Sequence, residues 1–191
     1  TNKFKFKRYR MQSKVILITT AILIIAPAVF FFACDFGNLP AGKRLLASVF
    51  QSVTTRTAGF NTEDLSLMTE AGKAVMILLM LIGGSPSSTA GGMKTTTFAV
   101  LILNALATFR SREDAGAFGR RFDGQVVKNA ATIAMMYFML FFFGGITISV
   151  YEGLPLLTCL YEAASAVGTV GLTLGITPEL HIISRLILIA L

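Results

Sequence analysis

Charge is what this chain has least of. Only 14% of its 191 residues are Asp, Glu, Lys or Arg, where a soluble domain carries about 25%. Residues 15–34 hold no charge in twenty positions, residues 129–150 none in twenty-two, and residues 74–109 only Lys94 in thirty-six. Such runs meet or approach the ~20 apolar residues needed to cross a bilayer, which argues against a soluble fold. Histidine and cysteine are almost as scarce. His181 is the one histidine, a lone surface position with no metal or catalytic partner, and Cys34 and Cys159 are the only cysteines. A disulfide framework, a cysteine–histidine metal site and a nucleophile–base pair all lack the residues they need. The chain reads as an integral membrane protein and not an enzyme. No cleavable signal is visible, because residues 15–34 outrun a signal core and lack an A-x-A-like exit.

The charge that is present is one-sided, with a net value of +7. Six of the seventeen basic residues fall in 3–14 (Lys3, Lys5, Lys7, Arg8, Arg10, Lys14) and five in 110–128 (Arg110, Arg112, Arg120, Arg121, Lys128). The positive-inside rule places both stretches in the cytoplasm. The first abuts an apolar span, so it reads as a topology determinant beside anionic membrane lipid and not as a nucleic-acid site.

These bounds give an all-α membrane chain. The first span, 15–34, runs outward with Pro27 as a kink point. A short helix at 41–53 re-enters from outside and ends in a polar turn at 54–61. T-E-D at 62–64 marks a helix start, and an inward span over 65–109 is broken at 83–92. After the cytoplasmic loop 110–128 comes an outward span at 129–150, a second re-entrant helix at 156–167 and a second polar turn at 168–173. A last span starts at 179 and is still apolar at Leu191. The order of span, re-entrant helix, turn and span therefore occurs twice, in 1–109 and 129–191. Both copies enter from the same side, which makes them parallel repeats.

The repeat carries the chemistry. T-T-R-T-A-G-F-N at 54–61 and V-G-T-V-G-L-T at 167–173 align at an offset of 112, with Thr57 on Thr169, Ala58 on Val170 and Gly59 on Gly171. Glycine-bearing polar backbone at membrane depth is tolerated only where it lines protein or water. Coordinating a bare monovalent cation needs several inward-facing oxygens, which backbone carbonyls of such turns supply. Short helices ending at these turns would aim their negative dipole ends at the same place. One such turn could be a simple connection; two in matched architecture point to a cation site.

Two further features stand apart. Gly83-Gly84-Ser85-Pro86-Ser87-Ser88-Thr89-Ala90-Gly91-Gly92 cannot be uninterrupted helix. It is no phosphate loop, because Met93 separates Gly92 from Lys94 and no strand precedes it. Lys94 is the single cation deep in an apolar region, and it either faces a cavity below this loop or snorkels to the cytoplasmic interface. Arg56 sits inside the first turn. Its expected role is to brace the neighbouring helix, against Glu162 or Glu63.

The stretches 54–65, 82–97 and 165–178 together resemble the membrane subunits of the Trk/Ktr potassium-uptake superfamily, which also takes in the HKT transporters. Within it the resemblance is stronger to the Ktr-type subunit, KtrB. T-R-T-A-G-F-N, G-G-S-P-S-S-T-A-G-G-M-K-T and G-T-V-G-L-T appear in order, and the likeness covers essentially the whole chain. It implies the third repeat and most of the fourth of four helix–pore helix–filter–helix units around one permeation path. It makes Gly59 and Gly171 filter glycines, and gives the carbonyls of Thr57, Ala58, Thr169 and Val170 to K+. It makes 83–92 an intramembrane gate. It also implies a homodimer in a bacterial cell membrane, a cytoplasmic nucleotide-binding regulatory ring of the KtrA/TrkA kind, and K+ uptake that is passive or coupled to Na+. The alternatives are a non-conducting membrane scaffold and a sodium-selective relative, the latter disfavoured by glycine at both positions. With two repeats missing from this stretch, the expectation is a fragment of a longer pore subunit.

Overall fold

The computed structural model of the chain describes residues 9–111, 116–118 and 120–191. Lys3, Lys5, Lys7, Arg8 and Arg112 of the basic clusters lie outside the described residues, and so does the Arg120 side chain. Among the described residues, helices α1 (Met11–Cys34) and α5 (Gly124–Glu152) are the long ones, with 24 and 29 residues. At about 1.5 Å per residue they measure about 36 and 44 Å, enough to cross the ~30 Å hydrocarbon core of a bilayer. Both are apolar, yet only 22% of the most apolar window of each is buried. On α1 the outward positions Ile18, Ile22, Ile25 and Val29 form one stripe at helical spacing, and on α5 Met136, Leu140 and Phe143 do the same. A soluble protein would turn such stripes inward. This is the distribution of a membrane protein.

The shorter helices pack between and beside these two. They are α2 (Ala41–Thr54), α3 (Glu70–Leu81), α4 (Thr95–Phe109), α6 (Leu156–Val167) and α7 (Ile182–Ala190). Helix α1 packs on α2 and α4, α5 on α6 and α4, and α3 on α6. The centre of the core is Met76 on α3, which is fully buried. Its sulfur accepts from Gln51 Nε2 on α2 at 3.3 Å and from the Tyr161 hydroxyl on α6 at 3.8 Å. The two short helices that precede the polar turns are thus tied to one point between them.

Three local features differ from the sequence reading. T-E-D does not start the third helix. Asp64 instead accepts from the Ser66 amide and hydroxyl at 2.9 and 2.6 Å and opens a 3-10 turn, Leu65–Leu67. These two bonds hold the Asp64 carboxyl below its ordinary range. The helix begins at Glu70, where Thr69 Oγ1 accepts from Gly72 N, and Asp35 reaches across from the end of α1 to accept from Thr69 N at 2.9 Å and Thr69 Oγ1 at 2.8 Å. Second, α5 starts inside the stretch read as loop, at Gly124, capped by Asp123. Third, that loop carries an antiparallel ribbon of β1 (Gly116–Ala117) and β2 (Arg120–Arg121). Helix α1 itself runs through Pro27 without ending.

Candidate functional site

The first polar turn leaves α2 at Thr54. Both Ala58 N and Gly59 N donate to the Thr54 carbonyl at 3.1 Å, and Thr54 Oγ1 donates to Phe60 O at 2.6 Å. Thr54 therefore closes the turn from both sides. Within it Thr57 has φ +66° and Gly59 φ +71°. Glycine takes this conformation freely, but a β-branched threonine does so at a cost of about 1–2 kcal/mol. Strain of that kind persists where the surroundings impose it and clusters at functional sites.

The second turn repeats the pattern. Thr169 has φ +51° and Gly171 φ +89°, so a strained threonine two residues before a left-handed glycine recurs at the two aligned positions. The bracing, however, differs. Val170 N donates to Ser165 O at 2.8 Å and Gly171 N to Ser165 Oγ at 3.1 Å. Further along, Glu162 accepts from Thr173 Oγ1 at 2.8 Å, Leu174 N at 2.9 Å and Thr177 Oγ1 at 2.7 Å. Sequence reasoning considered Glu162 only as a partner for Arg56, and missed this network. The one available signal was a carboxylate in an otherwise apolar short helix, followed eleven and fifteen residues later by threonines.

The stretch 83–92 is a loop pinched at its neck. Ile82 and Met93 form a parallel bridge. Gly83 N donates to Met93 O at 2.8 Å, Met93 N to Leu81 O at 2.9 Å and Thr95 N to Gly84 O at 3.1 Å. The parallel sense means that the chain leaves, circles and resumes in its original direction, so α3 and α4 continue one another across the break. Lys94 Nζ turns back into the loop and donates to the carbonyls of Ala90 and Ser88. It ties the loop to its own neck, a partner set named by neither sequence expectation.

These three stretches meet. A β-carbon on Gly59 would lie 1.9 Å from Val170 O, and one on Gly91 would lie 2.0 Å from Thr169 Oγ1. The first turn thus abuts the second, and the loop abuts the second turn, each at a glycine that no other residue could replace without displacement. Arg56 completes the set. Its Nη2 donates to Gly83 O at 3.3 Å, so its partner is the loop's backbone and neither Glu162 nor Glu63. Arg56 Nε and Thr57 Oγ1 are buried without a hydrogen-bond partner. His181 is not alone: its Nδ1 lies 2.7 Å from Glu152 Oε2, and its ring meets Tyr151 edge-on. Among the described residues no group of three or more His, Cys, Asp or Glu could hold a metal ion. What meets here is backbone carbonyls, hydroxyls and small side chains, together with the Arg56 guanidinium.

The chain is similar to known proteins. A family model described as TrkH, cation transport protein, matches residues 4–191. The chain is 37% identical over 196 residues to the potassium/sodium uptake protein NtpJ of Enterococcus hirae, covering 98% of this chain and 44% of that protein. It is 34% identical over 193 residues to the Ktr system potassium uptake protein B of Bacillus subtilis, covering 98% and 43%. To the Ktr system potassium uptake protein B of Vibrio alginolyticus it is 33% identical over 181 residues, covering 92% and 40%. The chain spans less than half the length of these relatives.

Proposed function

The chain belongs to the TrkH family of cation transport proteins, and from that premise we propose that it carries two quadrants of a potassium-uptake pore in a bacterial cell membrane. In this reading α2 and α6 are re-entrant pore helices. The turns at Thr57–Gly59 and Thr169–Gly171 are two sides of a filter whose carbonyls replace the hydration shell of K+, and the loop 83–92 is the gate beneath them. The single observation that carries the reading is the duplicated turn. Two segments 112 residues apart share a left-handed threonine and a left-handed glycine at aligned positions, and they abut through Gly59 and Val170 O. Alternating left- and right-handed residues rotates successive peptide planes, which is how a short turn can present several carbonyls to one ion.

The rest of the pore comes from two further repeats of the whole transporter. A second copy of the subunit and a cytoplasmic nucleotide-binding ring of the KtrA/TrkA type complete the assembly, the ring facing the basic loop 110–128. The Enterococcus relative is named for uptake of both potassium and sodium, and coupling to Na+ belongs to the same reading.

The test is Gly59→Ser in the whole transporter, expressed in a strain that lacks other potassium uptake. Serine adds a β-carbon against backbone at a left-handed position, so uptake and growth on low potassium should both fail while the protein still reaches the membrane. Unchanged uptake would sink the filter assignment and leave the non-conducting scaffold standing.

A further inference from the structure

Glu162 is the most unusual side chain in the site that the pore reading does not use. It is 4% exposed on α6, at the depth of an apolar core. Its two oxygens are directed at one short segment of the same repeat. Oε1 accepts from Thr173 Oγ1 at 2.8 Å and Leu174 N at 2.9 Å, and Oε2 from Thr177 Oγ1 at 2.7 Å. Thr173 Oγ1 and Thr177 Oγ1 lie 3.0 Å apart, and Thr173 Oγ1 also accepts from Gly175 N at 2.9 Å. One helical turn later on the same face, Ser165 Oγ accepts from Gly171 N at 3.1 Å. Positions three apart on a helix share a face, so Ser165 and Glu162 form one polar strip along which the chain from Gly171 to Thr177 is laid.

Leu172 anchors this segment in the core at 2% exposure with Leu174 packed beside it, and the polar bonds hold the rest. A recess of about 530 Å³ opens beside the segment, lined by Glu162, Ser165, Thr169, Val170, Thr173 and Thr177. Thr173 and Gly175 are exposed. A buried carboxylate is retained in such a place only if its acceptors are satisfied, and here every donor comes from the limb that follows the second turn. The first turn has no counterpart. Its aligned position to Glu162 is Phe50, and Thr54 closes it locally.

We propose that Glu162 is the positioning residue of the second turn: its hydrogen bonds to Thr173, Leu174 and Thr177 hold the limb that follows Gly171 in place and thereby set how well that turn discriminates K+ from Na+. The proposal rests on the filter reading above. The important property is the acceptor pattern. Glutamine can reproduce it, since its carbonyl oxygen can take Thr173 Oγ1 and Leu174 N while its amide donates to Thr177 Oγ1, whose own proton then turns to Thr173 Oγ1. Alanine reproduces none of it.

The experiment measures potassium uptake kinetics and competition by sodium in the whole transporter, at matched membrane abundance. Glu162→Ala should raise the KM for K+ and lower the K+/Na+ discrimination by about tenfold, equivalent to about 1.4 kcal/mol. Glu162→Gln should recover most of both. Thr177→Val removes one donor from the surface side, in case the helix variant fails to fold. It should shift both quantities in the same direction, and more weakly. Wild-type KM and discrimination in Glu162→Ala and Thr177→Val would overturn the proposal. So would a Glu162→Gln variant as defective as alanine, because then charge and not the hydrogen-bond pattern is what counts. Gly171→Ser in the same assay separates the two levels. If it abolishes uptake while the Glu162 variants are silent, only the positioning role fails; if it too is silent, the filter reading fails with it.

Discussion

Replacing Gly91 by alanine is a sharp test of how the loop 83–92 engages the second turn. The added β-carbon would sit 2.0 Å from Thr169 Oγ1, 2.7 Å from its Cγ2 and 2.8 Å from its Cβ. Ordinary contact begins at 3.4 Å, so loop and turn must separate by 3.4 − 2.0 = 1.4 Å. The threonine cannot easily step aside. It is β-branched, which restricts its rotamers, and its backbone is already in the left-handed region at φ +51°. Overpacking of this kind costs about 1–3 kcal/mol, a factor of about 5–150 in an equilibrium between docked and undocked loop. If the docked loop blocks the path, the variant should pass potassium faster, or with less need of the proposed cytoplasmic regulator. The measurement is the initial rate of potassium or rubidium uptake by the whole transporter, with and without that regulator. Gly37→Ala is the control, because a β-carbon there meets nothing within 4 Å. Equal rates for wild type and Gly91→Ala in both conditions, at equal abundance, would refute the docked geometry as the closed state.

Other contacts give further outcomes. Arg56→Gln removes the guanidinium bond to Gly83 O and should loosen the same loop by about 1 kcal/mol. Combined with Gly91→Ala its effect on uptake should be less than additive, since both act on one docked state. Asp35→Ala removes the acceptor shared by Thr69 N and Oγ1. It should lower stability by about 1–2 kcal/mol, read as a drop in Tm in detergent, and Asp35→Asn should recover part of the loss. Asp64 is exposed and its carboxyl is held low by the Ser66 hydroxyl and amide. A lowered carboxyl favours the folded turn above its ordinary value, and the preference is lost as pH falls through the lowered one. The protection factor of the Ser66 amide should therefore fall as pH drops through that lowered range, and Asp64→Asn should abolish that dependence.

Much of this architecture is legible in sequence because it obeys one-dimensional rules. Charge-free runs mark α1 and α5, and a repeat of Thr-x-Gly marks both turns. What is not legible depends on distant partners. The acid at 64 looks like a helix start, yet it spends its acceptors two residues away on Ser66, as short acidic side chains do in turns. The true cap at Thr69 is held by Asp35, thirty-four residues earlier. Arg56 offers a formal charge, which invites pairing with a carboxylate. In the fold the nearer acceptor is the Gly83 carbonyl, left free because the chain breaks from helix there. Glu162 likewise answers to the limb that follows its own turn and, among the described residues, to no basic side chain, a choice set by where residues 173–177 fold back on α6.

The two turns share a backbone pattern but not a means of support, and the difference has a mechanical consequence. The first is closed by its own Thr54 and reaches the loop through Arg56, a half-buried arginine with an unpartnered Nε. The second is held from behind by Ser165 and Glu162, and meets the loop where Gly91 lies against Thr169. One polar contact at 3.3 Å can break and reform at a cost of about 1 kcal/mol; five hydrogen bonds from one helix face to a single segment must break together. Displacement of the loop therefore strains the first turn through one polar bond and the second at the Gly91–Thr169 contact, where five hydrogen bonds resist the change. On the pore reading, a movement of the loop is therefore taken up more readily on the Arg56 side than on the Glu162 side.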